Sequence, residues 1–197
     1  DASGMGMGGV ILLPRHLPKR ALATAGHPIV WRTRFPPDIV DDLITFDNPR
    51  GRTTNSDLEM AVTIVQHAVI ADNYDIRERT VHTATDNTPT LFWHQRGSVS
   101  TNTTPAYLLR MQALHQRYHR YVPTHSYLPG PLNRMGDDSS RRWDLSDAEL
   151  LTHFDLSYPQ PTPWQLYHPN SAMLSAVTSM LRRKRSPPES FLTEPPP

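Results

Sequence analysis

The chain has 197 residues and a formal net charge of +1; 37% of its residues are hydrophobic and 20 are proline. It has no cysteine, which excludes disulfides and thiolate metal sites, and no apolar run approaches the roughly 20 residues that a membrane span needs. We therefore expect no membrane association and an intracellular protein, cytoplasmic or nuclear. Only two of the 20 basic residues are Lys. Such an excess of Arg, whose planar guanidinium suits phosphate, indicates either phosphate binding or a GC-rich coding bias.

The N-terminal half predicts extended segments followed by one long helix. Residues 1–35 contain two β-rich runs, GGVILLP and PIVWRTRF, which Gly and Pro set off from their surroundings. A short helical turn and a loop are expected within residues 36–51. From residue 56 to about residue 71 apolar residues follow the helical period, and Ser56 with Glu59 fits a capping box at the start of this helix.

The second half predicts further strands and helices in alternation. A strand over residues 79–85 ends at Asp86, and Thr88 before a proline is typical of a helix start. Helices are expected over residues 105–120 and 147–154, with a strand between them that begins at residue 121. The order of these elements predicts an α/β protein in which helices pack on a mixed sheet.

Composition divides the chain at about residue 156. Residues 1–156 predict one α/β domain. Residues 157–197 predict a proline-rich extension, with one short amphipathic helix near residues 170–185 that ends in the basic run RRKR. The proline-rich segment after this helix is typical of a linker and predicts a connection to a further module.

Four acidic residues stand out by their positions on the predicted elements. Asp1 opens a strand-like segment, Glu59 lies in the first turn of the long helix, and Asp86 ends a strand. Asp137 follows a Gly-Pro loop at the start of a helix. Taken singly, each fits a structural role as a helix cap, a turn residue or a solvated charge. Taken together, they offer the oxygen ligands that hard divalent cations prefer.

The sequence around these residues resembles a known family. The segments are, in order, DAS…GG, TTNSDLEMA, TDNTP and YLPGPLNRMGDDSSR. They are similar to the Asp-Glu-Asp-Asp series of ribonuclease H-like proteins, and above all to the ribonuclease H domains of retroelement (retrotransposon) polyproteins. The family's last motif commonly reads Gly-x-x-Asn-x-x-Ala-Asp-x-x-Ser-Arg. Its residues are matched here, with one extra residue after the first glycine and Gly in place of Ala, by Gly130, Asn133, Gly136, Asp137, Ser140 and Arg141.

This resemblance implies a fold, an activity and a metal site. The fold is a mixed five-stranded sheet flanked by helices, of which this chain would hold only part of the first strand. The activity is hydrolysis of the RNA strand of RNA–DNA hybrids during reverse transcription, leaving 3′-hydroxyl and 5′-phosphate ends. Two Mg²⁺ ions, replaceable by Mn²⁺, would be held by Asp1, Glu59, Asp86 and Asp137. The implied partners are the hybrid and the reverse transcriptase domain of the same polyprotein.

Several other polar residues are candidates for the site. Many family members carry a mobile histidine shortly before the last Asp that shuttles protons for product release. His125 matches that position, so the resemblance implies a catalytic role for it; an ordinary loop histidine is the alternative. His115 and His119 have zinc-compatible spacing, but no third ligand is evident and we expect both to be exposed. Candidate nucleic-acid contacts are Asn55, Asn87, Arg110, Arg117, Asn133 and Arg141. A solvated helix face is the alternative for the helical arginines.

A rival interpretation keeps the fold without the activity. In that case the chain is a catalytically inactive ribonuclease H-like domain, which binds nucleic acid or serves as a connection domain that supports a reverse transcriptase. Retroelement integrases share the fold but place Glu last in their acidic series, whereas Glu59 comes second here. Proofreading exonucleases begin Asp-x-Glu, and this chain begins Asp-Ala-Ser. Four intact acidic motifs favour the enzyme.

Overall fold

Five strands and seven helices form the part of the chain that the structure describes, which is residues 1–12, 26–99 and 104–182 of a computed structural model. The strands are β1 (Gly6–Ile11), β2 (Ile29–Arg34), β3 (Thr80–Thr85), β4 (Val122–Tyr127) and β5 (Gln165–Tyr167). The helices are α1 (Pro37–Asp41), α2 (Asn55–Asn73), α3 (Thr88–Arg96), α4 (Thr104–His119), α5 (Arg134–Arg141), α6 (Asp147–Ser157) and α7 (Ser171–Leu181). None of these helices is long and apolar enough to cross a membrane.

The strands pair into two sheets. β1 and β2 are antiparallel, from Gly6 opposite Arg34 to Ile11 opposite Ile29. β5 joins β2 in parallel, and β3 pairs in parallel only with β4. The protein is therefore a mixed α/β protein, as its sequence predicts.

The predicted five-stranded sheet is not formed by the described residues. The three strands β1, β2 and β5 make one sheet, and β3 with β4 makes the other. Residues 8–12 and residues 82–85 line one cleft of about 400 Å³ instead of pairing with each other. Side chains of α2 and of the segment before α5 also line this cleft. β1 and β3 therefore border one cleft from two separate sheets.

α2 is the central helix of the fold. Its N-cap is Thr54, whose hydroxyl accepts a hydrogen bond from the Asp57 N–H, while the Asp57 carboxylate accepts one from the Thr54 N–H. The predicted capping pair of Ser56 and Glu59 is thus wrong by two residues. α2 packs against β1, α4 and α7, so it is apolar around most of its circumference rather than along one stripe. Glu59 is left without a capping role.

Local sequence sets the ends of the other helices. The N-cap of α3 is Asn87, whose side chain accepts a hydrogen bond from the Thr90 N–H, one residue before the predicted cap at Thr88. The C-cap is Gly97, which has a φ of 61°, a left-handed conformation that glycine adopts without steric cost. The predicted capping box at the start of α6 is confirmed, with Ser146 as the N-cap and Glu149 as its partner.

Residues beyond 156 extend both cores of the molecule. The predicted boundary falls near the end of α6, and β5 then pairs with β2. α7 packs on α2 and α4 through buried residues that include Val177 and Met180. Burying such side chains contributes about 1.5–3 kcal/mol each. A second, smaller core is formed by Val30, Leu150, Phe154 and Trp164. The basic run after Arg182 and the proline-rich end lie outside the described residues.

Candidate metal centre

Three of the four predicted carboxylates converge at one end of the cleft. Asp1 precedes β1, Glu59 lies in α2, and Asp86 follows β3 directly. One carboxylate oxygen from each of the three lies within 4.8 Å of the others. In the described part of the chain, this is the one group of three or more acidic or histidine side chains that meets that distance. Residues separated by up to 85 positions are therefore brought together, as the sequence predicts.

Glu59 points from α2 toward the start of the chain. Its side chain is buried, with the residue only 4% exposed, and its Oε1 accepts a hydrogen bond of 3.1 Å from the Ala2 N–H. Burial raises the pKa of the Glu59 carboxyl, and the nearby Asp86 raises it further, whereas the α-amino group and the Ala2 N–H act in the opposite direction. A buried carboxyl beside a second acid is the environment that a cation would relieve.

Asp1 is held by backbone pairing and by α5. Its amino nitrogen donates to the Gly8 carbonyl at 2.9 Å, and the Gly8 N–H donates to the Asp1 carbonyl at 3.1 Å. The Asp1 side chain is only 2% exposed, and the Ser140 hydroxyl donates to its Oδ2. Burial lowers the pKa of the Asp1 amino group, an effect opposed by the carboxylates of Glu59, Asp86 and Asp137.

Glycines allow the backbone to approach the site closely. A Cβ at Gly8 would lie 2.6 Å from the Ser139 carbonyl carbon, so only glycine lets β1 pack this closely on α5. A Cβ at Gly130 would lie 3.5 Å from Asp86 Oδ2, which places the turn before α5 directly against that carboxylate. The Gly130 turn therefore borders the acidic group at Asp86, and α5 borders it at Asp1.

Asp137 joins this group through an arginine. Its Oδ1 accepts a hydrogen bond of 2.7 Å from Arg141 Nε, and a terminal nitrogen of Arg141 lies 3.7 Å from Asp1 Oδ2. Asp137 is half-buried, while the Arg141 side chain is 56% exposed. The fourth predicted ligand is thus linked to Asp1 by a guanidinium and lies outside the group of three.

Asp138, the next residue, has a different environment. Its Oδ2 accepts hydrogen bonds of 2.7 Å from both His153 and the Tyr158 hydroxyl. Consecutive helical residues point about 100° apart, so Asp138 faces α6 while Asp137 faces Arg141. This geometry gives Asp138 a role in joining α5 to α6.

The residues present fit a divalent cation by their chemistry. Carboxylate oxygens are the preferred ligands of Mg²⁺ and Mn²⁺, and Asp1, Glu59 and Asp86 each contribute one within reach of the others. Burial raises the pKa of Glu59 within this group, and a bound cation would compensate the charge of its carboxylate. Asp137 would need to exchange its Arg141 contact for a cation contact to join them.

The predicted nucleic-acid contacts fall into two groups. Four lie on elements that start or end at the acidic group: Asn55 opens α2, Asn87 caps α3, Asn133 lines the cleft, and Arg141 bonds Asp137. The other two, Arg110 and Arg117, are exposed on α4. Arg117 lies beside Thr80 at the start of β3, about 20 Å from Asp86 by the length of the strand. It is therefore distant from the carboxylates.

The histidine cluster, made of His67, His94, His115 and His125, is a second group of buried titratable side chains. The His125 ring lies 4.3 Å from that of His94 and 5.6 Å from that of His67, and its Nδ1 bonds Thr83 Oγ1. His115 is 1% exposed and bonds the Tyr121 hydroxyl, so the predicted exposed position is wrong for it. His125 thus packs within this cluster, on the strand preceding the Gly130 turn.

Some residues that shape the site could not be identified from local sequence patterns. Ser140 belongs to the predicted last motif, but the motif does not indicate that its hydroxyl fixes the Asp1 carboxylate. The capping pair of Thr54 and Asp57 obeys the same spacing rule as the pair that was predicted. The two possible capping pairs, Thr54 with Asp57 and Ser56 with Glu59, are distinguished only by the burial of Glu59 against Ala2. That contact joins residues 57 positions apart.

Comparison of this chain with protein-family models, with curated proteins and with solved structures found no match. The feature with the clearest chemical meaning is the acidic group of Asp1, Glu59 and Asp86.

Proposed function

We propose that this chain is a ribonuclease H-like endonuclease, which hydrolyses the RNA strand of RNA–DNA hybrids with the help of divalent cations. The observation that carries the proposal is the convergence of Asp1, Glu59 and Asp86 from three separate elements. The motif order around these residues supports the same assignment. We also propose that the fold is ribonuclease H-like.

Two Mg²⁺ ions, or Mn²⁺ in their place, are the proposed cofactors. Asp1, Glu59 and Asp86 would hold them, with Asp137 as the fourth ligand. Bound cations of this kind activate water and neutralise charge on the leaving oxygen of a phosphodiester.

The protein's own groups orient the carboxylates. The Ser140 hydroxyl holds Asp1 Oδ2, and the Ala2 N–H holds Glu59 Oε1. Arg141 contacts Asp137 and is more than half exposed, so its guanidinium is accessible to a phosphate group of a nucleic acid. These contacts arrange negative charge for cations and leave one positive group at the rim for the substrate.

The proposed substrate is a hybrid made during reverse transcription of a retroelement. Proteins that act on such duplexes read their shape and 2′-hydroxyls rather than base sequence. Asn55, Asn87 and Asn133, which lie near the carboxylates, offer amide groups suited to those contacts. The reverse transcriptase domain of the same polyprotein is the proposed partner, and the products would carry 3′-hydroxyl and 5′-phosphate ends.

One observation favours the alternative, a catalytically inactive domain that binds nucleic acid or supports a reverse transcriptase. Arg141 already neutralises part of the charge of Asp137 and lies near Asp1. If this pairing persists in the presence of Mg²⁺, Asp137 holds no cation and the site has only three ligands. The chain would then bind a hybrid without cutting it.

A cleavage assay on an end-labelled RNA–DNA hybrid decides between the two. We expect cleavage of the RNA strand with Mg²⁺ or Mn²⁺ and none with Ca²⁺, which is larger and tolerates looser geometry. Binding of the hybrid without cleavage under any of these conditions would instead support the inactive domain. Full cleavage in excess chelator would contradict the role of the metal.

Adjacent residues supply matched variants for this assay. Asp137→Asn should abolish cleavage with little change in stability, because an amide keeps the shape of the side chain and loses its charge. Asp138→Asn should keep most activity and lower stability by about 1 kcal/mol, because it weakens the bonds to His153 and Tyr158. The opposite pattern of activities would show that the ligand is Asp138.

A further inference from the structure

A basic pocket lies at the end of β3 that is farther from the acidic group. It has a volume of about 380 Å³ and is lined by the start of β3, the last turn of α4 and the residues around the start of β4. Its charged lining residues are three arginines and one glutamate, namely Arg79, Arg117, Arg120 and Glu78. Three positive charges thus meet one negative charge in this arginine pocket, although the whole chain has a net charge of only +1.

Two residues of the arginine pocket have a strained backbone. Glu78 has a φ of 57° and Arg120 has a φ of 53°, and no other residue except glycine has a positive φ in the ranges that the structure describes. This left-handed conformation is unfavourable for residues with a Cβ atom. Such strain persists where surrounding contacts impose it, and it is concentrated at functional sites.

Contacts between the segment before β3 and the segment before β4 impose this conformation. The Glu78 N–H donates to the Arg120 carbonyl at 2.6 Å, and the Val122 N–H donates to the Arg79 carbonyl at 2.9 Å. An ion pair between the side chains of Arg120 and Glu78 joins the same two segments. Arg79 and Arg120 are therefore fixed next to each other in the pocket.

The other two guanidinium groups keep their N–H donors available for a ligand. Among the described residues, neither Arg79 nor Arg117 has an ion-pair partner or a side-chain hydrogen-bond partner. The Asp75 carboxylate acts on Arg79 electrostatically, but it is bonded to Arg77. Arg79 and Arg117 are both exposed, so an anion can reach them from solvent.

The arrangement of these donors suits phosphate better than a carboxylate. A planar guanidinium bonds either group through paired N–H donors. The oxygens of a carboxylate accept hydrogen bonds in one plane, whereas those of a phosphate group are arranged tetrahedrally and accept from several directions. Arg79, Arg117 and Arg120 come from three separate segments, so their donors meet in the pocket from different directions. Thr80 and Gln116 bring further polar groups to the same lining.

We propose that the arginine pocket is a phosphate-binding site, in which Arg79 and Arg117 bond the phosphate oxygens and Arg120 is shared between the phosphate and Glu78. Inorganic phosphate and a phosphate of a nucleic-acid backbone offer the same chemistry, and RNA binding separates these two sources. The length of β3 places the pocket about 20 Å from Asp86, so this site is separate from the candidate metal centre. The inference is independent of the proposed nuclease activity.

Titration of the full chain with inorganic phosphate at constant ionic strength tests the inference. The readout is the nuclear magnetic resonance signals of the arginine Nε–H groups, which report on each guanidinium separately. We expect the signals of Arg79, Arg117 and Arg120 to shift together along one saturating curve. Arg79→Gln and Arg117→Gln should each weaken phosphate binding at least about 5-fold, because each removes a charge-assisted contact. Shifts that spread over all arginines without saturating would overturn the proposal.

Two further variants separate a specific site from the effect of net charge. Arg110 is exposed on α4 but does not line the pocket, and it lies about 10 Å before Arg117 along the helix. Arg110→Gln should weaken binding less than about 2-fold, because solvent and salt screen a charge at that distance. Glu78→Gln should tighten binding at least about 2-fold, because it removes the negative charge that competes for Arg120. Equal weakening by Arg110→Gln and Arg117→Gln, or no gain from Glu78→Gln, would overturn the proposal.

A short polyglutamate peptide tests the chemical nature of the bound group. We expect it to bind more weakly than phosphate. If it bound at least as tightly as phosphate, and with the same dependence on Arg79 and Arg117, the pocket would recognise the carboxylates of a protein partner. That result would overturn the assignment of phosphate as the ligand.

A short single-stranded RNA without terminal phosphates, followed by fluorescence anisotropy, identifies the source of the phosphate. Stronger weakening of RNA binding by Arg117→Gln than by Arg110→Gln would show that backbone phosphates occupy the pocket. Equal effects of the two variants on RNA, with unequal effects on inorganic phosphate, would show that free phosphate is the ligand. Both results support a phosphate-binding site.

Discussion

The acidic group and the histidine cluster are both buried sets of titratable side chains, yet they respond to protons in opposite ways. Asp1, Glu59 and Asp86 place carboxylate oxygens within 4.8 Å of one another, and burial raises the pKa of Glu59, so a proton or a cation at Glu59 stabilises this region. The histidine cluster is buried without charge compensation: burial lowers the pKa of His67 well below its usual value, and that of His94 and His115 to about 3. The fold is therefore most stable when these histidines are neutral.

The sign of the pH dependence follows from these shifts. The folded pKa of Glu59 is raised, so its contribution to stability is present at low pH and is lost as the pH rises through that folded value. The folded pKa of each buried histidine is lowered, so the unfolded chain binds more protons below about pH 6.5 and stability falls as the pH falls. The acidic group therefore suits a cationic ligand, while the histidine cluster makes the fold sensitive to acid.

The largest expected effect is on catalysis. Glu59→Gln should reduce hybrid cleavage at least about 100-fold, equivalent to about 2.7 kcal/mol of barrier, while the unfolding temperature does not fall. The matched control is Glu149→Gln, which weakens only the capping box of α6. If both variants retained full cleavage, the acidic group would have no role in the reaction. The acidic group and the histidine cluster would then not differ in function.

The next effect concerns the histidine cluster. His67 is fully buried and neither ring nitrogen has a hydrogen-bond partner among the described residues. His67→Leu should therefore stabilise the fold at pH 7.5, and by about 2 kcal/mol more at pH 5, because one histidine contributes about 1.4 kcal/mol per pH unit below about 6.5. Urea unfolding at the two pH values measures this difference.

The control for that experiment is a histidine outside the cluster. His168 has a side chain that is 75% exposed, and His168→Leu should change stability by no more than about 0.5 kcal/mol at either pH. A His67→Leu variant with the same pH dependence as the original chain would show that protonation of this residue does not control acid unfolding.

The smallest effect separates capping from ligand chemistry in α2. Thr54→Ala should lower stability by about 1 kcal/mol, because it removes the oxygen that caps the Asp57 N–H. Cleavage should change less than about 3-fold when measured well below the unfolding temperature. A loss of cleavage as large as that of Glu59→Gln would mean that the cap and the acidic group cannot be treated as separate features.

The sequence predicted the acidic group better than it predicted the sheet. Positions of Asp1, Glu59 and Asp86 follow from local motifs, and each lies at a predicted element boundary. Strand pairing depends on contacts far apart in sequence: β5 is three residues long and pairs with β2 more than 130 positions earlier. No local pattern encodes such a partner. No local pattern indicates, either, that β3 and β1 belong to different sheets.

The predicted exposure of His115 and His119, which was based on their helical spacing, is wrong for His115 for a similar reason. An i, i+4 pair of polar residues normally marks an exposed face, but His115 packs inward against Tyr121 while His119 is only partly buried. His67, His94 and His125 belong to three further elements, and their rings meet only in the folded chain. No local sequence pattern therefore predicts that these histidines lie close together.

Titration with Mn²⁺, followed by the electron paramagnetic resonance signal of the free ion, tests the central claim most directly. The claim is that Asp1, Glu59 and Asp86 form a divalent cation site. We expect the chain and its Asp138→Asn variant to bind Mn²⁺ alike, and Glu59→Gln to weaken binding at least about 10-fold. Equal binding by the original chain and a Glu59→Gln, Asp86→Asn double variant would contradict the claim.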